Sequence, residues 1–321
     1  MHSFQQLSNL FTENFSVAHF PEQPASLYEP NRYFLQIGGK RIRPVLCLMA
    51  NELFDEINRD AWHAATAIEL FHNFTLIHDD IMDKAPLRRG KETVHKKFGE
   101  STALLAGDVM LVAAYESLNN ISSPYSKKIF QLFNTTAREV CEGQQLDMDF
   151  EKLDQVTFEE YLHMISMKTS VLLGASLKMG AVIGGALDRN QNLIYEFGKK
   201  LGLAFQVQDD YLDAFGSPEK FGKQVGGDIR AGKKTFLLIH ALETASSKQK
   251  EKLFQLLESD GEDKIDSVRQ IFKDCKVDEW AKELKEKYTS EAFQHLEDIA
   301  VISQRKQPLK ELAIYLTQRE Q

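Results

Sequence analysis

Two copies of the pattern D-D-x-x-D, at residues 79–83 and 209–213, are the part of this chain best suited to chemistry. On an α-helix, the first and last aspartates of each copy lie one turn apart on the same face. If both helices faced one space, each like-charge pair at ~4 Å would cost roughly 4 kcal/mol at an effective dielectric near 20. A hard cation such as Mg²⁺, which prefers carboxylate and phosphate oxygens, would remove that repulsion. The candidate magnesium ligands are Asp79, Asp80, Asp83, Asp209, Asp210 and Asp213.

Basic residues near the acidic patterns offer groups that bind phosphate. In residues 38–44, two glycines let the backbone approach a ligand, Lys40 offers a point charge and Arg43 a planar bidentate fork. Arg88 and Arg89 are adjacent, so their side chains point in different directions and can serve two anions. The structural alternatives are a basic turn before a helix and a basic pair at a helix end. The remaining basic candidates are Lys168, Lys223 and Lys233.

Further polar residues lie in apolar helical surroundings. Lys168 and Thr169 are inside a mostly apolar segment, where a buried lysine is costly unless it is paired. Gln206 precedes the second acidic pattern by about one turn, which places its amide near the same cavity. His72 and His78 lie on the segment of the first pattern, where a hydrogen-bonded core histidine is the simpler interpretation.

The composition narrows the class of protein. The 321 residues include 43% hydrophobic residues, enough for a sizeable core, and the formal charge of −8 weighs against nucleic-acid binding. Three cysteines, far apart and odd in number, are typical of reduced thiols and favour a cytoplasmic location. No run of eighteen apolar residues and no basic start followed by an apolar stretch is present, so neither a membrane span nor a secretory signal is expected.

Apolar periodicity predicts an all-α fold without sustained period-two alternation. Pro86 should end the helix of the first acidic pattern. An acidic face exposed to water would explain one such pattern, but both copies lie in apolar segments. Because acidic and basic clusters interleave along residues 38–235, we expect a single domain, residues 1–321. The predicted helices cover residues 61–82, 101–118, 127–147, 158–186 and 193–214, and amphipathic outer helices cover 248–321.

With these motifs in order, the chain resembles the trans-polyprenyl diphosphate synthases. These are type I isoprenoid synthases that include the farnesyl and geranylgeranyl diphosphate synthases. The resemblance implies a large helical bundle around a central active-site cavity. One departure is Glu92, which stands where the family usually has proline. The matching motifs are GGKRIRP (38–44), DDIMD (79–83), RRG (88–90), GQQLD (143–147), KT (168–169), FQVQDDYLD (205–213), GKQVGGD (222–228) and GKKT (232–235).

The resemblance implies a role for each candidate residue. The residues implied to hold isopentenyl diphosphate are Lys40, Arg43, His72 and Arg89. Those implied to hold the allylic diphosphate are Arg88, Lys168, Lys223 and Lys233. The implied direct magnesium ligands are Asp79, Asp83 and Asp209, and the implied supporting ligands are Asp80, Asp210 and Asp213. Thr169 and Gln206 are implied to face the developing allylic cation.

The expected reaction joins isopentenyl diphosphate to an allylic diphosphate (dimethylallyl, geranyl or farnesyl). Magnesium-assisted ionisation is followed by head-to-tail coupling and proton loss. A terpene cyclase would usually carry a different second metal motif, and a regulatory subunit of the same fold would tend to lose the acidic patterns. A calcium-binding structural protein is disfavoured because the loop form D-x-D-x-D-G is missing. The resemblance also implies a homodimer.

Product length should depend on the residues that precede the first acidic pattern. The growing chain is expected to run along this helix, where one turn of about 5.4 Å approximates one isoprene unit. Phe74 is the aromatic residue close to the aspartates, Thr75 is small, and Phe71 is a candidate floor one turn further away. In the family that the chain resembles, large aromatic residues at both nearer positions stop growth at farnesyl. Here only Phe74 is aromatic, so the resemblance implies geranylgeranyl diphosphate (C20) as the main product. The alternative is farnesyl diphosphate (C15), with Phe74 closing the pocket, and both phenylalanines could instead be ordinary core residues.

Overall fold

The structure, a computed structural model, describes residues 1–15, 19–216, 226–259, 261 and 263–318. Helices dominate this part of the chain, which confirms the prediction of an all-α fold. The helices are α1 (Phe4–Asn14), α2 (Ala25–Gln36), α3 (Ile42–Phe54), α4 (Arg59–Met82), α5 (Val94–Phe98), α6 (Glu100–Asn119), α7 (Ser123–Phe150), α8 (Phe158–Ile165), α9 (Val171–Ile183), α10 (Asp188–Phe215), α11 (Gly227–Ala231), α12 (Phe236–Thr244), α13 (Ser247–Leu257), α14 (Lys264–Asp274), α15 (Val277–Glu297) and α16 (Ser303–Gln318).

Helix α4 carries the first acidic pattern and has well-defined ends. At its start, the side chain of Asn58 accepts a hydrogen bond from the N–H of Ala61 at 3.2 Å, which satisfies one of the free donors of the first turn. At its end, the N–H of Asp83 donates to the carbonyl oxygen of Asp79 at 2.8 Å. The outer aspartates are therefore one turn apart, and the helix ends before Pro86, as predicted.

A short hairpin that the sequence analysis did not predict follows α4. Strands β1 (Leu87–Arg88) and β2 (Lys91–Glu92) pair antiparallel. Arg89 and Gly90 form the turn, with φ values of 52° and 74°, as tight two-residue hairpins require. Arg88 thus lies on a strand and Arg89 in the turn. The register pairs Leu87 with Glu92 and Arg88 with Lys91.

The helix predicted over residues 158–186 is divided in the structure. A π-helical turn, Ser166–Ser170, separates α8 from α9. Such turns inside α-helices occur frequently at functional sites. The backbone of Lys168 in this turn packs closely on α7, because a Cβ at Gly143 would lie 2.3 Å from the Lys168 nitrogen. Glycine at position 143 is thus required for this close approach of α7 to the π-turn.

The described chain forms two compact units. The first comprises Met1–Phe133, Ser176–Asn192 and Val301–Pro308, and the second comprises the described residues of Asn134–Ala175, Leu193–Ala300 and Leu309–Gln321. In the first unit, α4 packs against α6 and α3. In the second unit, α8, α12, α14 and α15 contribute to one apolar core. The expectation of a single domain over residues 1–321 remains a prediction.

Helix α6 is the one segment of the described chain that is long and apolar enough to cross a membrane by length and composition. In this structure 44% of its apolar window is buried. Core helices of soluble proteins pass the same criterion.

Candidate active site

The second unit contains a cavity of about 560 Å³ in which most of the predicted residues of that unit meet. Helix α10 supplies the second acidic pattern and Gln206, and the π-turn supplies Lys168 and Thr169. Lys223 was also predicted for this site, but it lies outside the described residues. The predicted residues that line the cavity are Lys168, Thr169, Gln206, Asp209, Asp210, Asp213 and Lys233.

Two aspartates that were given no role from the sequence also line this cavity, as does Glu151. Asp147 near the end of α7 forms an ion pair with Lys168, with 2.5 Å between Oδ2 and Nζ. Asp228 on α11 donates its backbone N–H to Oδ2 of Asp213 at 3.0 Å. Its carboxylate Oδ1 lies 3.9 Å from Nζ of Lys233. Both residues stand inside motifs of the resemblance, GQQLD and GKQVGGD, which were the available signal.

Asp210 is the most deeply buried carboxyl group of the second acidic pattern. The hydroxyl of Tyr161 donates to its Oδ2 at 2.5 Å, and the amide of Gln206 donates to its Oδ1 at 2.7 Å. Burial, followed by repulsion from Asp228, raises the pKa of Asp210 to about 8. Tyr161, another residue not predicted from the sequence, thus fixes the orientation of a carboxyl group in the cavity.

The carboxylates of Asp209, Asp210, Asp213 and Asp228 lie close together in this cavity. Burial and then the neighbouring carboxylate of Asp213 raise the pKa of Asp228 to about 6, against a partial opposing effect of Lys233. The group therefore holds more negative charge than its lysines neutralise, and its donors are oxygens, which fit a hard cation such as Mg²⁺. Among the described residues, however, His, Cys, Asp and Glu form no group of three or more arranged as a complete metal site. Further ligands, such as phosphate oxygens, would be needed.

Asp210→Asn is expected to stabilise the metal-free protein at high pH. The raised pKa means that ionisation of Asp210 opposes folding, so its cost is nil below about pH 4 and grows as pH rises towards about 8. In EDTA, Asp210→Asn should raise Tm by a few degrees at pH 8.5, since ~1 kcal/mol corresponds to about 2–4 °C in chains of 150–250 residues and to somewhat less in this chain of 321. Thermal unfolding at pH 8.5 and pH 5 measures this. Asp274→Asn, an exposed position, is the control. A Tm equal to or below that of the unchanged protein at pH 8.5 would contradict the expectation.

In the first unit, the first acidic pattern is tied to the hairpin. Asp80 is 1% exposed and accepts hydrogen bonds from Arg88, from Nε at 2.9 and 3.1 Å and from Nη2 at 2.6 Å. Burial raises the pKa of Asp80, and the bonds from Arg88 oppose that change. Asp79 is half-buried and Asp83 is exposed. Asp80 is therefore committed to Arg88, whereas the outer aspartates stand nearer to the solvent.

The predicted isopentenyl diphosphate residues also lie in the first unit. Arg43 donates from Nη1 to Nε2 of His72 at 3.1 Å. Burial and then Arg43 and Arg89 hold the pKa of His72 well below its usual value, so this ring is neutral and accepts the bond. The guanidinium of Arg89 packs on the backbone at Gly39, where a Cβ would lie 2.8 Å from Nη1. Lys40, at the same loop, is exposed.

The predicted chain-length residues form part of an aromatic cluster in the first unit. Phe71 is 1% exposed, and its ring packs 5.7 Å from Phe74 and edge-on at 5.2 Å from Phe133. Phe74 is 9% exposed and contacts His78 at 4.7 Å between ring centroids. Thr75 is half-buried, and its hydroxyl donates to a backbone carbonyl of the same helix at 2.8 Å.

Comparison with known proteins places this arrangement in a family. The sequence profile of the polyprenyl synthetases matches residues 24–275, more than half of the chain. The chain therefore belongs to the polyprenyl synthetase family, and its predicted class, a prenyltransferase of the isoprenoid synthase fold, is confirmed.

Individual relatives cover nearly the whole chain. The short chain isoprenyl diphosphate synthase of Methanothermobacter thermautotrophicus is 39% identical over 298 residues, 92% of this chain and 91% of the relative. The geranylgeranyl diphosphate synthase of Methanosarcina mazei is 39% identical over 300 residues, 93% of this chain and 91% of the relative. A crystal structure of a geranylgeranyl pyrophosphate synthase matches with a TM-score of 0.95 and 43% identity, covering 100% of both chains.

Proposed function

We propose that this protein condenses isopentenyl diphosphate with allylic diphosphates and releases mainly geranylgeranyl diphosphate. The observation that carries this proposal is the cavity of the second unit. It combines excess carboxylate charge with Lys168 and Lys233, which suits a magnesium–diphosphate group better than either ion alone. The names of the relatives support the same product.

The two acidic patterns would act together on the allylic diphosphate. By their pairing in the sequence, we assign both to one Mg²⁺-diphosphate group, with Asp79, Asp83 and Asp209 as direct ligands. Bound there, Mg²⁺ supplies Lewis-acid stabilisation of the leaving group. Lys168 and Lys233 stabilise the negative charge that develops on the departing diphosphate.

The bond changes follow from that charge distribution. The carbon–oxygen bond breaks with its electron pair leaving on the diphosphate, and an allylic cation remains. The isopentenyl double bond attacks the cation to form the new carbon–carbon bond. A proton is then lost from the adjacent carbon, and we assign its acceptance to the departed diphosphate, as the family resemblance implies. We assign to Thr169 and Gln206 the polar oxygens that face the cation. To the apolar lining residues Phe150, Met164 and Ile165 we assign the exclusion of water that would quench the cation.

The second substrate would bind to the arginine-rich surface of the first unit. Arg43 and Arg89 offer charged guanidinium groups, Lys40 a further cation, and neutral His72 orients Arg43. These residues hold the diphosphate of isopentenyl diphosphate and take no part in bond changes, so their contribution is positioning.

The assembly and location are part of the proposal. Helix α6 exposes apolar side chains on one face, and we assign this face to a second copy of the chain, which makes the protein a homodimer. The reduced cysteines favour the cytoplasm. The most exposed members of this face are Leu104, Leu105 and Val112.

One assay tests the proposed function. The protein is incubated with isopentenyl diphosphate, Mg²⁺ and, in turn, dimethylallyl, geranyl or farnesyl diphosphate, and products are separated by chromatography after dephosphorylation. A linear C20 alcohol is expected from each primer. A cyclised hydrocarbon would instead identify a terpene cyclase, a main C15 product a farnesyl diphosphate synthase, and the absence of any product with every primer would refute the proposal.

A further inference from the structure

A buried ion pair lies beneath the arginine-rich surface of the first unit. Nη1 of Arg41 donates to Oε1 of Glu69, and the two side chains are only 7% and 5% exposed. Nη2 of Arg41 also donates to the carbonyl oxygen of Leu35 at 3.3 Å. Asn73 donates from Nδ2 to the same Oε1 of Glu69 at 2.9 Å. The pair is thus fully enclosed and hydrogen-bonded, the condition under which buried charges are tolerated.

The ion pair distinguishes two kinds of arginine in this region. Arg41 forms an ion pair with Glu69, and Arg88 forms an ion pair with Asp80. In the described part of the chain, no carboxylate lies within ion-pair distance of Arg43 or Arg89. Of these four arginines, Arg43 and Arg89 are thus the two without a carboxylate partner in the described part of the chain.

The pair also joins the two helices that carry the site. Arg41 immediately precedes α3 in a left-handed conformation, with φ of 52°. Two residues later in the chain stands Arg43. Glu69 lies on α4 and precedes His72 by three residues, so both face the same side of that helix. A bond between Arg41 and Glu69 therefore holds the start of α3 against the turn of α4 that bears His72.

We propose that Arg41 and Glu69 form a positioning pair for the isopentenyl diphosphate site, holding Arg43 against His72 without touching the substrate. This inference rests on the proposed function and adds residues to which the resemblance gave no role. The carboxylate of Glu69, close to an anion site, would ordinarily weaken the binding of a diphosphate. Here the charge of Arg41 neutralises that carboxylate. Glu69 also favours the charged forms of Arg43 and Arg89, because its charge raises the pKa of both against the effect of burial.

Glu69→Gln separates positioning from simple electrostatics. The substitution makes the region more positive by one charge, so electrostatic attraction alone would tighten the binding of a diphosphate. Positioning predicts the reverse, because Arg41 loses its partner and the start of α3 is released. We expect KM for isopentenyl diphosphate to rise about tenfold, since small misplacements of binding groups have effects of this order. KM for the allylic diphosphate and kcat at saturation should change less than about twofold.

Binding is measured apart from turnover by calorimetric titration with isopentenyl diphosphate in EDTA, where the dissociation constant should also rise about tenfold. The matched control is Glu52→Gln, which removes a glutamate on α3 that pairs with His2. It should leave KM and the dissociation constant for isopentenyl diphosphate unchanged. Asn73→Ala removes two bonds to Glu69, one to its carboxylate and one to its backbone carbonyl, and should shift KM in the same direction by a smaller factor. If Glu69→Gln fails to fold, the apolar double substitution Arg41→Met with Glu69→Leu removes the ion pair without leaving a buried charge. KM for isopentenyl diphosphate should rise in this variant too, because the bond between Arg41 and Glu69 is lost.

Each outcome decides the inference. A selective rise in KM and in the dissociation constant for isopentenyl diphosphate supports it, in Glu69→Gln or in the double variant. Unchanged or tighter binding in either folded variant overturns it, as does an equal rise in KM for both substrates. If the unaltered protein neither binds nor consumes isopentenyl diphosphate, the proposed function itself is refuted. If the unaltered protein is active and Glu69→Gln leaves KM and the dissociation constant for isopentenyl diphosphate unchanged, only the positioning role is refuted.

Discussion

Asp209→Ala and, separately, Asp79→Ala are each expected to lower kcat by about a thousandfold, a loss of ~4 kcal/mol of transition-state stabilisation. Each substitution removes a proposed direct ligand of the magnesium–diphosphate group, and metal ions at such sites supply several kcal/mol of charge stabilisation. Product formation with isopentenyl diphosphate and farnesyl diphosphate, measured across a range of Mg²⁺ concentrations, checks the result. Asp274→Ala, an exposed aspartate on α14, is the control and should be fully active.

Stability separates this loss of function from misfolding. Asp209 contributes to the repulsion that raises the pKa of both Asp210 and Asp228. Its removal should therefore leave Tm in EDTA unchanged or higher, while activity falls. Near-normal kcat in both Asp79→Ala and Asp209→Ala would contradict the assignment of the acidic patterns to metal binding. A lowered Tm with a parallel loss of activity would show a structural role instead.

The sequence predicted the acidic helices well because their signals are local. Helix α4 was expected over residues 61–82 and spans Arg59–Met82, and its end depends on Pro86 and on bonds within the last turn. Likewise, the second acidic pattern and Gln206 lie on one helix, where a spacing of three to four residues determines which side chains share a face. Periodicity and spacing within one helix suffice for such inferences.

Residues whose roles depend on distant partners could not be predicted in this way. Tyr161 and Asp210 are 49 positions apart, and Arg41 and Glu69 are 28 positions apart. No spacing rule connects either pair, because the contact exists only once separate helices pack. The π-turn at Ser166–Ser170 is another example, because it packs against Gly143 on α7 and contains no proline or glycine that would mark its position in the sequence.

The product-length hypothesis concerns residues that lie in an aromatic cluster of the first unit. Phe71 is buried between Phe74 and Phe133, and the ring of Phe133 packs in turn on Tyr115 at 5.2 Å. If this cluster is the floor of the pocket, it should be hard to displace, because moving one ring breaks its contacts with the neighbouring rings. Thr75 leaves the first turn open, so we assign the limit to Phe71 rather than to Phe74.

Phe71→Ala is accordingly expected to extend the main product by one isoprene unit, from C20 to C25. Removing the ring opens a cavity beneath the chain and costs roughly 3–5 kcal/mol of stability, so the reaction should be run well below the lowered Tm. Chromatography of dephosphorylated products from isopentenyl diphosphate and farnesyl diphosphate measures the shift. Phe74→Ala should lengthen the product less, because Phe71 remains below it.

A matched control separates pocket depth from general loosening. Phe272→Ala removes an equally buried ring from the core of the second unit and should cost similar stability while leaving C20 as the main product. If Phe272→Ala lengthened the product as much as Phe71→Ala, general destabilisation of the protein, and not a deeper pocket, would explain the longer product. If neither Phe71→Ala nor Phe74→Ala lengthened it, the floor would lie elsewhere. A C25 product from Phe71→Ala alone would instead show that one ring, one turn further along α4, determines where chain growth stops.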